Sequence, residues 1–215
     1  MTIWGDDGCE CSRFAILPAL YHAAQIAQGI TDEKSIKEGF KEKFGIDFED
    51  FMLLDLKGTA NVCDDMKSDK DLSNTDKYML YNDCFMGQFD CFVKDGVADS
   101  YKNLAQKLKD LEKNKKFGYL FAKSRALCEL ISVKYDIGVR TRKAYRLKNV
   151  EELKKLIIDY DKILALLDVY YEQFKIQWMK ENKPHVGSMY AVLEVIKKLY
   201  KPRTCRFHPG KPHRL

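Results

Sequence analysis

From Leu153 to Trp178 a large apolar side chain returns every three or four residues: Leu153, Leu156, Tyr160, Ile163, Leu167, Tyr170 and Phe174, closing at Gln177–Trp178. That spacing holds one face of an α-helix apolar for about 30 residues. Asn149 with Glu152 three positions on is a capping-box-like start, and Pro184 marks the end. The aromatic members Tyr160, Tyr170, Tyr171, Phe174 and Trp178 read as core or interface packing. A helix with so long an apolar face needs other helices to cover it, which points to an all-α, multi-helix bundle.

The rest of the chain supplies them. Ser12 to Gln28 reads as a helix, apolar on most sides, kinked near its start by Pro18 and ended by Gly29. Thr31 caps a charged amphipathic helix that stops at Gly45, and Asp47 caps a short one through Leu54. Residues 57–76 are polar and read as an exposed loop. Tyr78, Tyr81, Phe85, Phe89 and Phe92 recur at helical steps on either side of a turn at Asn82-Asp83. An amphipathic helix is expected over Val97–Lys113, with Tyr101, Leu104, Leu108 and Leu111 on one stripe. A more apolar helix follows over Phe117–Tyr135 and is stopped by Gly138. No repeat at a solenoid period is present.

One stretch departs from this pattern. Thr2-Ile3-Trp4 is β-branched and aromatic, the composition of a strand, and Gly5-Asp6-Asp7-Gly8 is turn chemistry leading to the N-cap Ser12. Strand, loop, helix is the reading. A lone strand leaves its backbone unpaired, so the expectation is that its partners belong to a larger body of which this chain is the end. Asp6-Asp7 could tempt a glycosidase reading, but neighbouring turn residues point in different directions and fix no separation across a sugar.

Net charge is 37 − 32 = +5, and Lys201, Arg203, Arg206, Lys211 and Arg214 account for all of it. A charge confined to a tail is poor support for a nucleic-acid-binding surface, and no nucleic-acid partner is expected. No apolar run approaches the ~20 residues of a membrane span. The seven cysteines are odd in number and scattered, which favours reduced thiols and the cytoplasm over disulfides or zinc. Cys205, His208 and His213 lie in a Pro/Gly-rich tail and are not read as a metal site; no metal or other cofactor is expected.

The stretch Trp4-Gly5-Asp6-Asp7-Gly8-x-Glu10-Cys11-Ser12, followed by Phe14-Ala15-Ile16-Leu17-Pro18, resembles the last barrel strand and following helix of glycoside hydrolase family 20. The similar branch is that of bacterial β-N-acetylhexosaminidases with a helical C-terminal domain. Further matches follow in order: Lys77 to Asp83, Leu127 to Lys134, Gly138 to Tyr145, then Trp178 with Glu181-Asn182-Lys183-Pro184. The resemblance implies one N-terminal strand left from a (β/α)8 barrel over residues 1–29 and a helical C-terminal domain over 30–185. Residues 186–215 match nothing in it and read as a divergent helix and basic tail.

It also implies a chemistry. In this family the acetamido oxygen of a terminal N-acetylhexosamine attacks its own anomeric carbon, while an Asp orients that group and an adjacent Glu is the general acid. The pair lies on an earlier barrel strand, so the resemblance assigns no catalytic residue to this chain. It assigns substrate contacts: Trp4 as a wall of the sugar pocket, and Glu10 or Asp7 as acceptor of sugar hydroxyls. Trp4 as a core ring at a strand end, and Glu10 as a helix-start charge, are the plainer alternatives. Asn82 in Tyr81-Asn82-Asp83 is either a further polar contact to the pocket or a turn residue chosen for backbone reasons. Arg140 and Arg142 either pair with carboxylates across a domain interface or form an exposed basic turn. The competing function is a free-standing helical interaction module without enzymatic activity, whose long helix would pair with a partner such as a second copy.

Overall fold

The computed structural model describes residues 12–55 and 75–182. Trp4, Asp7, Glu10, the expected N-terminal strand, the 57–74 part of the polar loop and the divergent tail lie outside the described residues. Within them the chain is helical and contains no strand. Eight α-helices are formed: α1 (Leu17–Ala27), α2 (Glu33–Phe44), α3 (Phe48–Met52), α4 (Thr75–Tyr81), α5 (Val97–Leu111), α6 (Gly118–Lys134), α7 (Ile137–Arg146) and α8 (Val150–Glu181). The all-α bundle expected from the periodicity is what forms.

The centre is α6. It is buried on most sides: Leu120, Phe121, Ala126, Leu127, Cys128, Leu130 and Ile131 are all inaccessible or nearly so, and so are Lys123, Ser124 and Lys134, as in a helix surrounded by others. α5 packs against it as the returning arm of a helical hairpin, with Tyr101 at its start against Tyr135 just beyond the end of α6, ring centroids 6.3 Å apart. The opposite side of α6 is covered by α8, whose Leu156, Ile163, Leu167, Tyr170 and Phe174 are buried along the seam the sequence marks.

The three N-terminal helices join this bundle through rings. Phe40 meets Tyr21, Phe44, Phe48 and Phe51, and Phe51 meets Phe117 and Phe121 edge-on at 5.0 and 6.0 Å. Phe40, Phe51 and Phe121 are wholly inaccessible. Ser12 is fixed to the far end of α8: its Oγ donates to Glu181 Oε1 at 2.7 Å and accepts from the Phe14 amide at 3.0 Å.

Local expectations fail in three places. The first helix is not one element. Ser12 caps a short 3-10 turn, Arg13–Ile16, and α1 begins at Leu17 with Pro18 in its first turn, where proline costs no hydrogen bond, so no kink is needed. Asp32, not Thr31, caps α2, its carboxylate accepting from the Ser35 amide at 2.8 Å; an anion is the stronger acceptor at a helix start. Gly138 does not stop a helix but sits in the first turn of α7. A Cβ there would lie 2.9 Å from the Cys84 carbonyl oxygen, so the glycine serves close backbone approach.

Candidate functional site

α4 ends at Tyr81, and the loop that follows is closed by its own side chains. Asp83 Oδ1 accepts from the amides of Phe85 and Met86, both at 2.7 Å. Asn82 Oδ1 accepts from the Phe89 amide at 3.1 Å, and its Nδ2 donates to Asp90 Oδ1 at 3.3 Å. Gly87 turns the chain at φ +64°, and a Cβ on it would strike both Arg142 and Asp90. The Asn and the Asp therefore act as local acceptors that replace a backbone ladder, the usual employment of these residues in turns.

Two cations from the bundle hold this loop. Lys134, at the end of α6, is buried and donates its Nζ to the carbonyls of Met79 at 2.8 Å and Asn82 at 2.6 Å. These carbonyls belong to the last turn of α4 and the residue just beyond it, where helical partners run out. Burial pushes the Lys134 ammonium down to about 8 from its ordinary value. Arg142, from α7, donates to the Cys84 carbonyl at 2.6 Å and pairs with Asp90. Thr141 and Tyr160 hydroxyls meet at 2.9 Å beside it, and burial, the largest cause, raises the Tyr160 phenol above its usual range. What this closed unit leaves facing outward is Phe85, 69% exposed, and Met86, 74% exposed.

The arginines do pair with carboxylates, but inside the helical domain. Arg140 bridges Asp136, the residue just before α7, and Glu152 and Asp159 on α8, the last at 2.9 Å. It borders an open cleft of about 410 Å³ together with Asp95, Asp99, Tyr135 and Lys162. A second polar pair lies deeper: the Tyr101 hydroxyl donates to Asp76, and burial raises the carboxyl of Asp76 above the ordinary carboxylate range.

Of the four expected substrate contacts only Asn82 falls among the described residues. It is buried, and its amide is engaged within the loop. Sequence reasoning missed Lys134, Gly87 and Asp90. Lys134 carried a readable signal, a cation three residues beyond Ile131 on the side of α6 where Leu127 and Ile131 are buried; Asp90 and Gly87 carried none until Arg142 was seen between them. Among the described residues no group of three or more His, Cys, Asp or Glu is placed to hold a metal ion, and no helix is long and apolar enough to cross a membrane.

The described residues thus form a helical bundle in which the loop after Tyr81 spends the polar groups of Asn82 and Asp83 on its own closure. The chain matches the Glycoside Hydrolase 20C C-terminal domain over residues 49–194, well over half its length, and belongs to that family. No curated protein matches it.

Proposed function

We propose that this chain is the C-terminal portion of a β-N-acetylhexosaminidase that removes terminal N-acetylhexosamine by the substrate-assisted, retaining route. The observation that carries this reading is the family match over residues 49–194, beside the ordered motifs that run from Trp4 to Pro184. In this reading Trp4, Asp7 and Glu10 contact the sugar and the Asp–Glu pair that reacts with it comes from the barrel. Asn82 contributes through the loop it closes, which presents Phe85 and Met86. The terminal sugar of a glycan is the partner, and the odd number and scattered positions of the seven cysteines favour the cytoplasm.

The test has two arms. The isolated chain hydrolyses no aryl N-acetylglucosaminide. Joined to a family 20 barrel it supports turnover, and Trp4→Ala then lowers kcat/KM by about 100-fold while the melting transition moves little. Turnover by the isolated chain would sink the assignment of the reacting groups to the barrel. A Trp4→Ala enzyme that is badly destabilised yet keeps its kcat/KM would make Trp4 a core ring instead.

A further inference from the structure

Helix α8 carries a second seam. Its inward stripe, the buried Leu156, Ile163, Leu167, Tyr170, Phe174 and Gln177 with the half-buried Tyr160, advances in alternating steps of four and three. Two residues further on, roughly 200° around the helix, the same rhythm recurs at Ile158, Lys162, Ala165, Val169, Glu172, Ile176 and Met179. All seven are exposed; Ile158 is 69%, Met179 53%, Val169 45% and Ile176 41% accessible. A strict seven-residue repeat on an ordinary helix drifts by about 20° per heptad, the drift that a left-handed two-helix supercoil absorbs.

The two charged members say what fits there. Lys162 and Glu172 lie at equal distances either side of residue 167, as do Ile158 and Ile176, and Ala165 and Val169. Along one helix Lys162 and Glu172 are roughly 15 Å apart and cannot meet each other. We infer that α8 pairs with α8 of a second copy of this chain, antiparallel, about a two-fold axis beside residue 167.

In that pairing Lys162 faces Glu172 of the second copy, twice by symmetry. Ile158 faces Ile176, and the small Ala165 and Val169 meet at the centre, where they let the helices approach closely. Asp161 and Lys175, exposed on one flank, come together across the axis, while Asp168 faces its own copy and opposes part of that gain. A parallel pairing in register would set Lys162 against Lys162 and Glu172 against Glu172, so the charges select the antiparallel form.

The experiment is sedimentation equilibrium of the full chain over the micromolar range, with helix content followed by circular dichroism. The expected result is a reversible dimer. Lys162→Glu and Glu172→Lys should each weaken it by about thirty-fold, since two attractive contacts become two repulsive ones, with helix content unchanged. The double variant Lys162→Glu/Glu172→Lys should restore it, which a variant that merely failed to fold could not do. A monomer at every concentration, a dimer indifferent to the single reversals, or a double variant that stays dissociated would each overturn the pairing.

Discussion

Replacing Lys134 by Met should cost more stability at pH 10 than at pH 7. The methionine fills the same space but leaves the Met79 and Asn82 carbonyls, at 2.8 and 2.6 Å from Nζ, without their donor. Orphaning two buried acceptors costs about 1–3 kcal/mol each. At neutral pH that loss is partly offset, because the buried ammonium is itself unfavourable. Its folded value of about 8 against the ordinary 10.5 corresponds to about 3 kcal/mol at about 1.4 kcal/mol per unit. Below pH 8 the lysine is protonated in both folded and unfolded chains, and wild type bears that penalty in full. Between about 8 and 10.5 the unfolded chain binds more protons than the folded one, so wild-type stability rises with pH. The neutral amine still donates to both carbonyls. Urea titrations of wild type and Lys134→Met at pH 7, 8.5 and 10, followed by ellipticity, give the gap at each pH. Cys128, Tyr101 and Tyr160, whose burial holds them neutral to higher pH, titrate alike in both proteins and cancel in the difference. The gap should widen by on the order of 3 kcal/mol across this range. A gap that stays constant or narrows as pH rises refutes the buried-ammonium account of the loop's anchor.

Gly87→Ala should destabilise the fold by about 1–3 kcal/mol in a denaturant melt, because the positive φ and the collision with Arg142 and Asp90 act together. Asp76→Asn should remove an acid-side dependence. The raised carboxyl of Asp76 contributes stability that is complete below the ordinary carboxylate value and is lost as pH rises through its folded value, so melts from pH 3 to 7 should show a flatter profile in the variant. Phe51→Ala, which removes the ring shared by Phe40, Phe117 and Phe121, should cost about 3–5 kcal/mol in the same assay. Restoration by Phe51→Leu to within about 1.5 kcal/mol of wild type would contradict the view that ring geometry matters there.

What was legible in the sequence follows the range of the interaction that fixes it. The α8 seam, its cap at Asn149 and the α5 stripe depend on neighbours three and four residues away, and they form where the spacing puts them. Gly138 was misread as a stop because its reason lies 54 positions back, at the Cys84 carbonyl that α7 crosses. The loop after Tyr81 showed the same limit. Asn82 and Asp83 announced a turn, but Lys134 and Arg142, which hold it, come from 52 and 58 residues downstream. The place of Lys134 on the buried side of α6 was legible, but not the Met79 and Asn82 carbonyls that it caps.

The exposed apolar side chains bear on whether this domain works by itself. On a free-standing monomer they are expected singly and scattered. Here Phe85 and Met86 sit at the tip of a loop held by two cations, an expensive way to display two hydrophobes. Phe14, Ile16 and Ile26 face outward from the 3-10 turn and α1, the segment beside Ser12 that is tied to Glu181. Ile158, Val169, Ile176 and Met179 run along α8. Others stand singly, among them Met52 on α3 and Tyr145 on α7, whereas the loop tip and the α1 segment lie next to side chains anchored in the bundle. Rigid bracing means that ordering costs are already met before anything docks, which favours tight, specific contact over adaptable binding. Such bracing suits permanent neighbours better than passing ones. If the proposed pairing holds, the α8 face is the one that a second copy covers.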